Sequence, residues 1–351
     1  MPCMVQKNKT YKMKQTLAAF LIIAFLSCNN NSNTKQAMYK TTGTIIQYDE
    51  ALAAIIDTST RPEIIAEGYE WSEGPLWIEK HNMLLFSDVP MNTVYKWTEA
   101  NGAEVYLKPS GYTGTTPSKC KEPGSNGLIL DNEGNLVLCQ HGDRQMAKMD
   151  APLDKPQAKY ITLANKFEGK RFSSPNDCVY NSSGELFFTD PPYGLQTQDD
   201  TDSLKEIKHN GVYKVKKDGT VILLVDSITR PNGLAFFPGE KQLLIACSDP
   251  YKPNWYIFDV SGDTLSNSKL FYSAAEERKT MQHGLPDGFK VNKQGIVFAT
   301  GPGGVYIFNS SGKKLGFIKL NEATSNCALS ADEKILYVTN DMYVLRIRLK
   351  N

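Results

Sequence analysis

One short phrase recurs six times along this chain, and it constrains the fold more than any other feature. Each copy places an acidic or amide residue beside Gly, Asp or Cys, and an apolar run, a polar turn and a second apolar run follow. The copies begin at Glu73, Asn126, Asn176, Asn232, Asp287 and Asn326. Their spacings are 53, 50, 56, 55 and 39 residues, which is the size of a four-stranded propeller blade with variable loops. The sequence therefore predicts an all-β, six-bladed β-propeller.

The strand pattern also predicts how the ring closes. The chain ends on the third strand of its sixth repeat, so that blade lacks an outermost strand. The apolar run 63–66 precedes the first phrase and is free to supply it. Closure by an N-terminal strand would join the first and last blades and remove two sheet edges. We expect the propeller to span residues 61–351, with no second domain.

The N-terminus has the pattern of a targeting segment. Two lysines, Lys12 and Lys14, precede an apolar run over 17–26, which is followed by Ser27, Cys28 and a polar stretch. This run is shorter than the roughly 20 apolar residues that a membrane-spanning helix needs. Residues 1–28 are predicted to be a signal peptide of the lipoprotein type, with a plain secretory signal as the alternative. Residues 29–60 are predicted to be a tether that is ordered in part, with a short helix between 47 and 56.

Cys28 would then carry the lipid, and the protein would be exported and anchored in the periplasm or cell envelope through that residue alone. Five further cysteines follow the signal segment. Four of them lie within apolar strand-like runs, where a buried thiol is the usual state. Cys120 lies in a polar loop, and the sequence leaves its pairing open.

Composition narrows the classes of partner. Hydrophobic residues make up 41% and charged residues 22% of the chain, and the net charge is +1. This composition supports a full core. Because no basic stripe is present, we expect no nucleic-acid partner. The four histidines are scattered and never show the spacing of a zinc site.

The first residue of each phrase is predicted to face a common point. Equivalent inner-strand residues of a propeller surround its central channel, so two carboxylates and four amides would meet there. Two unpaired carboxylates repel each other, whereas a divalent cation would stabilise both. Oxygen ligands of this kind suit Ca²⁺ first, with Mg²⁺, Mn²⁺ or Zn²⁺ as alternatives. The competing interpretation is that these polar residues only form hydrogen bonds between inner strands, since any single copy would be read as a turn.

Taken as a set, several motifs resemble those of the SMP-30/gluconolactonase/luciferin-regenerating family over about residues 62–349. They are Glu73-Gly74-Pro75 with Trp77, Pro175-Asn176-Asp177, Arg230-Pro231-Asn232-Gly233-Leu234 and Pro286-Asp287-Gly288. The resemblance implies a six-bladed propeller that hydrolyses lactones. It also implies that the metal ligands are Glu73, Asn176, Asn232 and Asp287, with Asp287 doubling as the catalytic acid/base.

Residues of the second repeat are similar to the pocket wall of bacterial gluconolactonase-like members. Asn126, His141 and Arg144 are therefore predicted to contact substrate. For His141 the alternative is a loop-bracing role, and for Arg144 a solvated charge. For Asp177 an Asx-type brace is favoured over a role as a further metal ligand, and for Asn326 a cap of its own turn is favoured over a place in the pocket lining.

The sequence thus predicts a metal-dependent hydrolase that opens a small, sugar-derived lactone with a metal-activated water and Asp287 as acid/base. No Gly-x-Ser-x-Gly motif for a serine nucleophile occurs in the chain. Two alternatives remain: an esterase or phosphotriesterase that uses the same metal, and a non-catalytic propeller scaffold.

Overall fold

A computed structural model describes residues 39–350 with the exception of residue 282. The described chain is a six-bladed β-propeller, as predicted. Each of the six blades is an antiparallel sheet. Its strands run in chain order from the centre outwards, except that the outermost strands of blades 5 and 6 come from the segment before blade 1. The predicted signal peptide, Cys28 and the first part of the tether lie outside the described residues.

Within the described chain, five blades have four strands each and blade 5 has five. From the innermost strand outwards, blade 1 is Ser72–Ile78, Met83–Asp88, Thr93–Thr98 and Gly102–Leu107, and blade 2 is Ser125–Leu130, Leu136–Gln140, Gln145–Met149 and Tyr160–Ala164. In the same order, blade 3 is Cys178–Tyr180, Leu186–Asp190, Gly211–Val215 and Val221–Val225, and blade 4 is Pro231–Phe236, Gln242–Asp249, Lys252–Ser261 and Thr264–Ser273. Blade 5 is Phe289–Val291, Val297–Gly301, Gly304–Phe308, Lys314–Lys319 and Thr44–Gln47, and blade 6 is Asn326–Leu329, Ile335–Asn340, Tyr343–Arg348 and Glu63–Glu67. A small hairpin, Lys166–Phe167 with Lys170–Arg171, follows blade 2, and one α-helix, Ala275–Thr280, follows blade 4.

The second strand of each blade reads as a continuous apolar run because both of its faces are covered. Leu186–Asp190 and Val297–Gly301 are buried along their whole lengths. Buried apolar residues of the described chain form a cluster at each interface between neighbouring blades, including the one between blades 6 and 1. Each blade is therefore stabilised mainly by its two neighbours rather than by a single central core.

The polar turn between first and second strands is built in the same way in blades 2, 3 and 5, where an Asp or Asn side chain accepts from a backbone N–H four residues later. In blade 2, the Asp131 carboxylate accepts hydrogen bonds from the backbone N–H groups of Glu133 and Asn135, at 3.0 and 2.8 Å. Gly134 completes the turn with a φ of +83°, a conformation that glycine adopts without strain. These turns fix the register of the inner two strands and thereby the position of the phrase that precedes them.

The glycine of the repeated phrase is required by close packing at the propeller axis. A methyl group on Gly233 would lie 2.4 Å from the carbonyl oxygen of Asp287 in the next blade, and one on Gly74 would lie 2.1 Å from that of Asn126. Since a Cβ atom does not fit at these points, the inner strands touch through glycine backbone. The polar residue before each glycine is held at the same level of the axis as a result.

The ring closes as predicted. Glu63–Glu67 pairs antiparallel with Tyr343–Arg348, with Ile64 opposite Leu345. Across this joint the Arg346 guanidinium donates to the Glu63 carboxylate at 2.6 Å and also forms an ion pair with Glu99 of blade 1. The outermost strand of blade 6 therefore comes from the start of the propeller.

The segment before this strand also packs on the propeller. Thr44–Gln47 pairs with Lys314–Lys319 as a fifth strand of blade 5, and a 3₁₀ helix over Glu50–Ala54 follows. Leu52 and Ile56 are fully buried between blades 5 and 6. From Tyr39 onwards, the described part of the predicted tether belongs to the same compact unit as the blades.

Among the described residues, no helix has the length and apolar character needed to cross a bilayer. All five cysteines within the described range are buried and unbridged, Cys120 included.

We expect Leu52→Ala to lower the free energy of unfolding by about 2–4 kcal/mol, because it removes a fully buried side chain and leaves a cavity. Chemical denaturation followed by tryptophan fluorescence would measure the change. Leu270→Ala is the matched control, since Leu270 is 58% exposed on the outer strand of blade 4 and its loss should cost less than about 0.5 kcal/mol. Equal losses for both variants would show that residues 44–56 do not stabilise the propeller.

Candidate metal and substrate site

The four predicted metal ligands line one cavity of about 290 Å³. Glu73 belongs to blade 1 and Asn232 to blade 4, whereas Asn176 and Asp287 lie just before the inner strands of blades 3 and 5. Asn126 of blade 2 lines the same cavity. Residues up to 214 positions apart in the sequence therefore share one small volume at the end of the channel where the inner strands begin.

Four buried oxygen atoms in this cavity have no hydrogen-bond partner within the part of the chain that the structure describes. They are the side-chain oxygens of Asn126, Asn176 and Asn232 and one carboxylate oxygen of Asp287. A buried polar atom without a partner typically costs about 1–3 kcal/mol. Four of them lining one cavity are the arrangement expected of a site that binds a ligand rich in positive charge or hydrogen-bond donors.

The orientation of the Asn232 amide follows from its neighbours. Its nitrogen donates to the Ser248 hydroxyl at 2.9 Å, and that hydroxyl donates to the carbonyl oxygen of Pro286 at 2.5 Å. Because the amide nitrogen is used in this way, the amide oxygen is the atom left without a partner. The same hydrogen bonds link the ligand-bearing segments of blades 4 and 5.

The two acidic residues of the set are deeply buried and close enough to influence each other. Burial raises the pKa of Glu73 to about 8, with Asp177 and Glu122 adding repulsion. Burial also raises the pKa of Asp287 well above its usual range, and the nearby charges of Glu73 and Asp177 raise it further. Both carboxyl groups are therefore poorly stabilised as anions by the protein itself.

This donor set fits a hard divalent cation. It combines two carboxylates with amide oxygens, and the described residues contain no group of three or more His, Cys, Asp or Glu side chains in metal-binding geometry. Amide oxygens would accordingly have to complete the coordination. Oxygen-only coordination suits Ca²⁺ and Mg²⁺, whereas Zn²⁺ favours sites rich in His and Cys.

A second polar layer lies deeper in the channel. The Asp177 carboxylate accepts from the Asn326 amide at 3.3 Å and from the backbone N–H of Cys178 at 2.8 Å. The Asn326 oxygen in turn accepts from the Lys290 ammonium at 3.4 Å. These contacts connect blades 3, 5 and 6 across the axis, which is compatible with the brace favoured for Asp177. The Asn326 oxygen also accepts from the backbone N–H of Cys327 at 2.8 Å, a contact of the kind expected of a turn cap.

The other two predicted substrate contacts are not among the described residues that line the cavity. His141 is fully buried, and burial lowers its pKa to about 3. Arg144 is buried as well; its Nε donates to the carbonyl oxygen of Phe172 at 2.6 Å, and Nη1 lies 3.5 Å from Glu206. Arg144 is thus neither a solvated charge nor exposed to the cavity, and a direct substrate contact by either side chain stays a prediction.

The cavity also contains residues that the phrase alone does not identify. Trp71, Leu285 and Thr324 each stand two positions before a phrase residue and line the same cavity. Each of them lies in the segment that leads into an inner strand rather than within the strand, so the two-residue period of a strand could not have identified it from the sequence. The remaining lining residues are Glu122, Tyr193, Gln198, Ser248, Arg278, Gly284 and Ala323.

Comparison with known proteins gives consistent matches. Residues 71–341 match the family model described as the SMP-30/Gluconolactonase/LRE-like region. A gluconolactonase from Zymomonas mobilis is 38% identical over 315 residues, which cover 88% of this chain and 87% of that protein.

Solved structures agree with these matches. A gluconolactonase structure from Xanthomonas campestris superposes with a TM-score of 0.75 at 28% identity and covers 88% of this chain and 97% of its own. A regucalcin from Agrobacterium tumefaciens, described as a calcium-binding protein, superposes with a TM-score of 0.62 at 15% identity over 82% of this chain and 94% of its own. At that identity the likeness concerns the fold alone.

We expect Ca²⁺ to stabilise the protein more at pH 8 than at pH 5. Because the pKa of Glu73 is raised from 4.5 to about 8, the folded state binds more protons than the unfolded state in that window. The free energy of unfolding without cation therefore falls as the pH rises through it. Ca²⁺ at one hundred times its Kd should add ~2.7 kcal/mol, or raise Tm by about 5 °C at pH 8, whereas protons compete with it at pH 5.

Calorimetry of chelated and Ca²⁺-saturated protein would measure both Tm values. Asn232→Ala removes one unpaired oxygen and should reduce the Ca²⁺-induced shift, whereas Asn132→Ala, in an exposed turn, should retain it. An unchanged shift in Asn232→Ala would contradict the assignment of this cavity as the cation site.

Proposed function

We propose that this chain, which belongs to the SMP-30/gluconolactonase/LRE-like family, is a divalent-cation-dependent lactonase of the gluconolactonase type. The observation that carries the proposal is the set of unpaired, buried oxygens from four blades around one cavity. The gluconolactonase from Zymomonas mobilis, at 38% identity over most of both chains, supports the same activity. A propeller that served only as a scaffold would have no need for buried carboxylates in its channel.

Glu73, Asn176, Asn232 and Asp287 are the residues that would bind the cation, and Ca²⁺ is favoured because every donor is a hard oxygen. When bound, a divalent cation stabilises the negative charge that develops on the lactone oxygen as water adds to the carbonyl carbon. Its charge also favours the ionised form of Asp287, which burial alone opposes.

Asp287 would transfer the proton in the reaction. One of its carboxylate oxygens has no hydrogen-bond partner among the described residues, so the carboxylate is placed to accept a proton from the attacking water. The water oxygen first bonds to the carbonyl carbon to give a tetrahedral adduct. The ring C–O bond breaks when this adduct collapses, and the same carboxyl group returns the proton to the leaving alkoxide. This is general base and then general acid catalysis by one residue, and it needs no covalent enzyme intermediate.

The cavity walls suit a small cyclic substrate. Trp71 and Leu285 give it an apolar side, and Tyr193, whose hydroxyl donates to the carbonyl oxygen of Ser248 at 3.2 Å, covers another. Asn126 contributes its unpaired amide oxygen, which supports its predicted role as a substrate contact. These walls would limit water around Asp287 and so strengthen the electrostatic interactions in the site.

We expect Asp287→Asn to lower kcat for glucono-δ-lactone about 10²- to 10⁴-fold, because the amide cannot accept the proton. Cation affinity should fall only in part, since three other ligands remain. A pH-stat assay gives kcat, and calorimetric Ca²⁺ titration gives the affinity. Asp218→Asn, at an exposed turn, is the control and should match the wild type. Full turnover by Asp287→Asn would rule out its role as acid/base, and wild-type hydrolysis that survives complete chelation would rule out the cation.

A further inference from the structure

Two loops bring a third carboxylate into the cavity. Residues 108–124 connect blades 1 and 2, and residues 191–210 connect the second and third strands of blade 3. Glu122 from the first loop and Tyr193 and Gln198 from the second line the cavity beside the predicted metal ligands. Glu122 is not part of the repeated phrase, and its side chain is only 17% exposed.

Gln198 fixes one oxygen of this carboxylate. Its amide nitrogen donates to Glu122 Oε1 at 2.8 Å and to the carbonyl oxygen of Tyr193 at 2.9 Å. Its amide oxygen accepts from the Lys121 ammonium at 2.8 Å. Gln198 also has a φ of +56°, in the left-handed region that side-chain-bearing residues rarely adopt. Strained residues of this kind cluster at functional sites.

The His141 imidazole lies next to the Glu122 carboxylate, close to its second oxygen. Its Nδ1 lies 3.7 Å from Glu122 Oε2, beyond hydrogen-bond length, and neither ring nitrogen has a partner among the described residues. A methyl group on Gly194 would lie 2.7 Å from the His141 ring, so the second loop packs directly on it. The imidazole is therefore held in place behind Glu122.

Glu122 Oε2 is consequently available to a ligand in the cavity. No described residue donates a hydrogen bond to it, whereas Oε1 is occupied by Gln198. Burial raises the pKa of Glu122 to about 7. This direction fits a buried carboxylate whose negative charge is stabilised by few hydrogen-bond donors of the protein. A carboxylate oxygen acts as an acceptor for hydroxyl groups, and its hydrogen bonds are stronger than those of neutral acceptors.

We infer that Glu122 is a specificity-determining residue of this site, accepting hydrogen bonds from ring hydroxyls of the substrate, and that Gln198 is the residue that positions it. This inference rests on the proposed function, since it takes lactone hydrolysis as the reaction. The Glu122 carboxylate is the group that would distinguish a hydroxylated lactone from an unsubstituted one. A lactone without hydroxyls would gain nothing from this carboxylate.

Glu122→Gln is the sharpest test. Gln198 would continue to donate to the amide oxygen of the variant, which leaves the amide nitrogen, a donor, where Oε2 was. We expect kcat/KM for glucono-δ-lactone to fall about 10- to 100-fold, the effect of losing a hydrogen bond to a charged acceptor. The value for δ-valerolactone should change less than about threefold. Glu133→Gln, at an exposed turn of blade 2, removes the same charge and should leave both values unchanged.

Gln198→Leu tests the positioning role. It should reduce the preference for glucono-δ-lactone over δ-valerolactone mainly through KM, and the double variant with Glu122→Gln should be no less selective than Glu122→Gln alone. Such non-additivity is expected when one residue acts through another. Additive losses in the double variant would contradict the positioning role.

Binding measurements keep this inference separate from the proposed reaction. Glucono-δ-lactam, a hydroxylated analogue that resists hydrolysis, should bind Glu122→Gln at least tenfold more weakly than the wild type in calorimetry. That result would uphold the inference even if no lactone were hydrolysed. Equal binding by both proteins, or none by the wild type, would overturn it.

Two further outcomes would also overturn it. A loss of Ca²⁺ affinity in Glu122→Gln comparable to that in Asn232→Ala would make Glu122 a cation ligand. Equal losses of kcat/KM on both lactones together with a lowered Tm would make Glu122 a brace between the two loops. If Glu122→Gln fails to fold, Glu122→Asp retracts the carboxylate by one methylene and should show the same selective loss.

Discussion

Close contact between neighbouring inner strands at the propeller axis is the constraint on which the rest of this structure depends. At Gly74 and Gly233 a single methyl group would collide with backbone of the next blade. Each of these glycines is preceded by a polar residue that faces the cavity. The packing of the ring therefore also positions the predicted metal ligands. The glycines allow the inner strands of neighbouring blades to pack closely, and this packing fixes the position of the preceding polar residues along the axis.

This arrangement places charge where the protein stabilises it poorly. Glu73 and Asp287 are buried near each other, and burial raises the pKa of both. The amide oxygens of Asn126, Asn176 and Asn232 receive no hydrogen bond from any residue that the structure describes. Buried carboxylates and amide oxygens without partners destabilise a folded protein, and they are retained at sites where a bound ligand supplies the missing interactions. The surrounding hydrogen bonds, such as that from Asn232 to Ser248, hold the oxygens in place before any ligand binds, which lowers the cost of organising the site.

Much of the fold and the core of the site could be predicted from the sequence because the phrase repeats. The blade count, the second strands and the closing strand near residue 63 all follow from its period and from the missing strand of the last repeat. The contribution of Thr44–Gln47 to blade 5 could not be predicted, since that run resembles a tether until its partner strand Lys314–Lys319 is known. Contacts between residues of different loops were even harder to predict from the sequence. Nothing in the sequence brings Glu122 together with Gln198, 76 residues away, because loop pairing depends on the three-dimensional course of both segments. His141 illustrates the same limit, since its place behind Glu122 is set by the loop that carries Gly194.

The most direct test of the central claim is a crystal structure of the protein soaked with Mn²⁺, with anomalous scattering used to locate the ion. We expect one anomalous peak in the cavity, with oxygens of Glu73, Asn176, Asn232 and Asp287 at about 2.0–2.6 Å, the range of hard divalent cations with oxygen ligands. A peak bound elsewhere, or an ion that contacts only one of the four residues, would contradict the claim that these distant residues form a single cation site.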